Sequence, residues 1–148
     1  MPYTIGEVEQ LTGIPASTLR YYDKEGLMPQ VARTAGGKRL YSEDDLGALA
    51  VIGCLKRSGL SIKEIRQFVD WRHAGDETFE RRCAMFRERR EAVLAQMAEL
   101  QRTLDVVEYK CWYYETAVTC GSAEGLHDVP PDQMPPAARS GRDLLLGE

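Results

Sequence analysis

Thr18-Leu19-Arg20-Tyr21-Tyr22, closed by Gly26-Leu27, is the stretch on which the reading of this chain turns. It stands after Thr4-Ile5-Gly6-Glu7-Val8 and the turn Thr12-Gly13-Ile14. Thr4 suits the N-cap of a first helix over residues 5–11, with Glu7 three residues on as its capping-box partner. Ile5, Val8 and Leu11 would form its inner stripe. Pro15 can open a second helix over 15–25, where a missing N–H costs nothing, and Gly26 suits its end. Two short helices joined by a glycine-bearing turn read as a helix-turn-helix. Arg offers a planar fork of donors to phosphate or guanine, and a Tyr hydroxyl can reach a phosphate while its ring packs on the domain.

Working outward, Leu27-Met28-Pro29 leads into a polar stretch with Gly36-Gly37 before Lys38-Arg39-Leu40-Tyr41. Two short extended runs about a Gly-Gly turn predict a hairpin, or wing. Ser42 would cap a third helix running to Ser58, stopped by Gly59. Ser61-Ile62-Lys63-Glu64 is a capping box for a fourth helix, with Ile62, Ile65 and Val69 inward. Ala74-Gly75-Asp76 breaks that pattern.

From Thr78 the pattern changes. Phe79, Cys83, Phe86, Arg90, Val93, Met97, Leu100, Leu104, Val107, Cys111, Tyr114 and Val118 are spaced 4-3-4-3 without a slip, and no Gly or Pro interrupts 78–120. At about 1.5 Å per residue such a helix is roughly 63 Å long. A narrow apolar seam of that length needs a partner helix; the plainer alternative folds it back on its own domain. After Gly121 come four of the seven prolines (Pro130, Pro131, Pro135, Pro136) and one apolar cluster, Leu144-Leu145-Leu146. This tail reads as an irregular loop. The expected division is thus 1–75, 78–120 and 121–148, in a mostly α chain.

The bulk numbers are compatible with this. The 148 residues, 43% hydrophobic, can support a small core. No apolar run approaches spanning length and no signal peptide is visible, so a cytoplasmic protein without a membrane partner is expected. The net charge of −4 is unusual for a partner of DNA. It is unevenly spread: residues 20–41 hold five basic and two acidic side chains, and screening confines the effect of charge to about 8–10 Å. The two histidines, His73 and His127, fall in a break and in the tail, with no nucleophile or carboxylate pattern beside them; an enzyme is not expected, nor a cofactor. A coiled-coil adaptor that ignores DNA would explain 78–120 but leaves Arg20, Arg39 and the wing without a role.

Taken in order, Thr4–Val8, Thr12–Ile14, Thr18–Tyr22, Gly26-Leu27, Arg33, Gly37–Tyr41, Asp45-Leu46 and Leu60–Ile65 resemble the MerR family of bacterial transcription regulators across residues 3–70. The resemblance implies a winged helix-turn-helix followed by an antiparallel coiled-coil dimerisation helix. It implies a homodimer on double-stranded promoter DNA, between elements whose spacer is too long for RNA polymerase, which bends and untwists that spacer when an effector binds. Carried over, Ser17, Arg20 and Tyr22 are helix contacts, and Arg33, Lys38, Arg39 and Tyr41 belong to the wing set. Lys38 departs from the pattern, standing where many relatives have Tyr. The helical wheel points differently for the tyrosines: Ser17, Arg20, Tyr21 and Lys24 share a side opposite Leu19, favouring Tyr21 for DNA, whereas the resemblance favours Tyr22 with Tyr21 packed inside; the resemblance is followed here, with Tyr21 as the second choice. For Arg20 the plain alternative is a surface ion pair with Asp23.

Three effector classes are open. Cys54, before Lys56 and Arg57, resembles the single cysteine of the aldehyde- and electrophile-responsive subgroup; its alternative is a buried Cys acting as a small hydrophobe. Cys83, Cys111 and Cys120 could offer thiolates to a soft metal across an antiparallel pair, although Cys83 and Cys111 are also explained as seam positions. Trp71, Trp112, Tyr113 and Tyr114 could line a pocket for a small organic ligand, or simply seat the fourth helix on the long one. The four cysteines contain no CxxC pair and read as free thiols.

Overall fold

A computed structural model describes residues 1–147. In chain order the elements are β1 (Tyr3–Thr4), α1 (Ile5–Thr12), α2 (Ala16–Lys24), β2 (Ala32–Arg33), β3 (Arg39–Tyr41), α3 (Glu43–Arg57), α4 (Ile62–Ala74), α5 (Phe79–Cys120) and α6 (Pro136–Leu146), with short 3-10 turns before α5 and α6. They form two compact units, Met1–Arg90 and Glu91 onward.

In the first unit the helix starts are set locally. Thr4, Ser42 and Ser61 each accept from the backbone N–H three residues on, and Glu7, Asp45 and Glu64 reach back to the cap. Such a cap contributes about 1 kcal/mol. Accepting the backbone N–H of Thr4 and of Ser61 holds the Glu7 and Glu64 carboxyls below the ordinary value. Helix α2 ends in a Schellman motif: Leu27 N–H donates to Tyr22 O and Gly26 N–H to Asp23 O, with Gly26 at φ 75°. A side chain there would be strained, so the residue type fixes the stop.

The core of this unit gathers Val8, Leu19, Tyr22, Leu27, Tyr41, Leu49, Ile52, Leu55, Ile65 and Phe68 from α1, α2 and the turn after it, β3, α3 and α4. The wing turn closes through Thr34 N–H to Lys38 O (2.8 Å) and Gly37 N–H to Thr34 O (2.9 Å). Its two strands pair antiparallel, Ala32 opposite Leu40 and Arg33 opposite Arg39. The hairpin gains a third strand that the sequence did not signal: β1 pairs with β3, Tyr3 opposite Tyr41, in the order β1-β3-β2. This unit runs on to Arg90 because the start of α5 packs within it. Phe86 meets Phe68 edge-on at 5.4 Å, and the Thr78 hydroxyl donates to the carbonyls of Trp71 and Gly75.

Helix α5 is 42 residues long. The seam side chains Met97, Leu100, Leu104, Val107, Tyr114 and Val118 are all exposed.

The tail differs from the irregular loop expected for 121–148. Residues 136–146 form α6, with Pro135 at the N-cap and Pro136 at the first helical position. Proline is compatible with a helix start, because it removes an N–H that would have no partner. Tyr109, Tyr113, Leu126 and Ala138 form the second core, with Trp112, Ala117 and Val129 packed on it. The Tyr113 hydroxyl lies 3.2 Å from His127 Nε2, and Arg142 Nη1 donates to Val129 O at 3.1 Å. Leu144, Leu145 and Leu146 stay exposed. Among the described residues no helix is long and apolar enough to cross a membrane.

Candidate nucleic-acid interface

Helix α2 presents one polar face. Ser17, Arg20, Tyr21 and Lys24 are exposed, and Leu19 and Tyr22 point into the core. That is the i, i+3, i+4, i+7 face of a helix. The placement of the two tyrosines implied by the family resemblance is therefore corrected. Tyr22 is 4% exposed and Tyr21 44%, so Tyr21 is the tyrosine available to a ligand. The cause is the register set by Leu19: a residue three positions on shares its inward face, and a residue two on does not. Lys56 lies over the Tyr22 ring at 5.7 Å, covering it further.

The hairpin brings its charges to the same place. Arg20, Lys38 and Arg39, with Thr4, Thr34 and the apolar Ile5 and Leu40, line one cavity of about 300 Å³. No acidic side chain among the described residues lines it. Arg20 and Lys38 make no side-chain hydrogen bond or ion pair among the described residues, so their donors are uncommitted. The alternative Arg20–Asp23 pair does not form. Asp23 Oδ2 instead accepts from Arg33 Nη2 at 2.8 Å, from Arg39 Nε at 2.9 Å and from Arg39 Nη2. Sequence reading missed Asp23 because its partners lie 10 and 16 residues away, beyond any helical spacing.

Tyr41 is also corrected. It is 1% exposed and belongs to the core, so it is not a surface contact. Arg39 and Tyr41 share one face of β3, and the Tyr41 end of that face joins the core with Val8, Leu49 and Ile52. The Tyr41 hydroxyl is buried without a hydrogen-bond partner among the described residues. Burial pushes its pKa up, against the pull of Arg39.

The effector candidates are dispersed. Cys54 is exposed on α3, which removes the buried-hydrophobe reading; Cys83, Cys111 and Cys120 are exposed as well. Among the described residues no group of three His, Cys, Asp or Glu side chains is placed to hold a metal ion. Trp71 belongs to the first unit, and Trp112, Tyr113 and Tyr114 to the second. Trp112 stacks on Tyr109 at 6.1 Å and Tyr113 is 8% exposed, so these two rings seat the tail; Tyr114 remains exposed.

Comparison with known proteins agrees with this architecture. Residues 3–70 match the MerR HTH family regulatory protein model, and residues 46–108 the family model described as MerR, DNA binding. An uncharacterized HTH-type transcriptional regulator of Haemophilus influenzae is 41% identical over 127 residues, 86% of this chain and 94% of that protein. The HTH-type transcriptional regulator ZntR of Escherichia coli K12 is 33% identical over 129 residues, 84% of this chain and 92% of that protein. Among solved structures, that of HiNmlR, a MerR family regulator lacking the sensor domain, bound to promoter DNA, is similar with a TM-score of 0.76 at 42% identity. It covers 84% of this chain and 99% of that one. A polar helix face beside a basic wing, on a domain matched at this level, is the apparatus of a DNA-binding regulator and not of an enzyme: the chain belongs to the MerR family of transcriptional regulators.

Proposed function

We propose that the protein acts in the cytoplasm as a homodimer that binds a dyad-symmetric promoter spacer and distorts it for RNA polymerase in response to an effector. One observation carries the DNA reading: Arg20 of α2 and Lys38 and Arg39 of the wing surround a single concavity that no carboxylate among the described residues lines. Helix and wing contacts made together fix the orientation of the head on the duplex, and the energy they supply can be spent on deforming it. The exposed α5 seam supplies the dimer, and two heads then meet two half-sites. Footprinting on the protein's own promoter region tests this; protection of a spacer with dyad symmetry is expected, and an adaptor would protect nothing.

Within that site the helix face sets the order of effects. Arg20→Ala and Tyr21→Ala are expected to weaken operator binding about tenfold or more, with folding unchanged. Tyr22→Ala is expected to lower stability by about 3 kcal/mol, since it empties a core position. A gel-shift series alongside thermal melts checks both. Unchanged affinity for Arg20→Ala removes it from the contact set.

For the effector, an electrophile acting on the Cys54 thiol fits best. Cys54 is exposed on α3, and Lys56 and Arg57 follow it at the same helix end. An exposed thiol is open to attack by a soluble electrophile. Alkylation is expected to change transcription from the promoter, and Cys54→Ser to abolish that response. A Cys54→Ser protein that still responds would exclude this thiol.

A further inference from the structure

Arg33 and Arg39 face each other directly across the wing ladder. Like charges so placed push strands apart. Here a single carboxylate oxygen, Asp23 Oδ2, lies between them and accepts from both. Asp23 comes from α2, three residues after Arg20, on the helix that carries the exposed contact face. Its side chain is 18% exposed, that of Arg39 22% and that of Arg33 51%. The pair is thus partly shielded on the Arg39 side and open on the Arg33 side. Two guanidinium charges against one carboxylate leave the cluster with a net positive charge. Arg39 uses Nε and one terminal nitrogen on Asp23, which leaves its other terminal nitrogen as a donor.

We propose, resting on the DNA-binding reading above, that Asp23 is the positioning residue of the interface: it clamps the wing arginines to the recognition helix so that both elements meet the backbone in one fixed register. A carboxylate beside a DNA surface repels phosphate. If Asp23 acted only through its charge, removing it would tighten binding. A clamp has the opposite sign: without it, two mobile arginines pay side-chain entropy for every phosphate contact and the hairpin loses its tie to α2.

The test is a salt-dependent titration of the full-length protein on its own promoter duplex. Asp23→Asn is expected to weaken binding about tenfold or more and to make the salt dependence shallower by about one unit per lost phosphate contact. Asp23→Glu is expected to recover part of the loss. Glu25→Gln, which removes a charge two residues away that has no side-chain partner among the described residues, is expected to bind as tightly as the wild type or more tightly. Arg39→Lys keeps the charge and loses the side-on fork; it is expected to resemble Asp23→Asn, and it carries the test if Asp23→Asn fails to fold. Asp23→Asn or Arg39→Lys binding as well as the wild type overturns the clamp while leaving the DNA reading intact. A wild-type protein indifferent to duplex overturns both.

Discussion

Leu100→Glu is expected to turn the protein into a monomer and to abolish measurable operator binding, while its circular dichroism stays that of the wild type. In the single chain Leu100 is 68% exposed, Met97 60%, Leu104 49% and Val107 50%. A charge at Leu100 therefore meets water if the chain is alone, and it costs the isolated helix nothing beyond a small change in propensity. In a paired seam the same carboxylate is desolvated between apolar side chains, and two-fold symmetry introduces it twice. At even about 3 kcal/mol for the two together, the dimer dissociation constant rises more than a hundredfold. Operator affinity falls further, since each head must then bind its half-site without the other. Sedimentation velocity at micromolar concentration reads the first effect and a gel shift the second. A Leu100→Glu protein that still sediments as a dimer would place the self-association surface elsewhere, and the repeating seam would lose its explanation.

The parts of this molecule that were legible beforehand are those whose cause is local. Thr4 with Glu7, and Ser61 with Glu64, announce helix starts because the cap and its partner lie three residues apart. Gly26 announces an end because the left-handed residue it supplies is needed at that point. The 4-3 spacing announces α5 because the helix period is written along the chain. What escaped notice has distant causes. Two residues, Tyr3 and Thr4, carry no periodicity; they become a strand only because β3 offers a ladder. The Asp23 cluster needs a helix and a hairpin to be folded before its partners meet. The tyrosines are instructive in another way. The wheel drawn from local geometry puts Tyr21 outside, and the structure agrees; the placement implied by family resemblance reverses the pair. Resemblance identified the architecture across residues 3–70, but which of two adjacent rings is buried depends on this chain's own helix register.

Gly141→Ala is expected to detach α6, against what helix propensity alone suggests. Exchanging glycine for alanine inside a helix ordinarily stabilises it by about 1 kcal/mol. At this position the added Cβ would overlap the backbone carbonyl of Asp105 and stand 2.9 Å from the Tyr109 Cβ. The obstacle is main chain of α5, which cannot turn aside as a flexible side chain can. Either α6 shifts outward or α5 bends, and overpacking of this kind costs about 1–3 kcal/mol or more. An 11-residue helix is too short to persist without tertiary support, so a displaced α6 melts. Leu126 and Ala138 then lose their cover, and Arg139 and Arg142 lose their bonds to the carbonyls of Pro131 and Val129. Brief trypsin treatment reads this directly, with cleavage after Arg139 and Arg142 much faster than in the wild type. Amide exchange across 136–146 should rise in parallel. Gly36→Ala serves as the contrast, because its Cβ would meet only the Thr34 hydroxyl at an ordinary 3.8 Å. If Gly141→Ala is as protected as the wild type, the close crossing of α6 on α5 is wrong, and the apolar tail cluster must be held some other way.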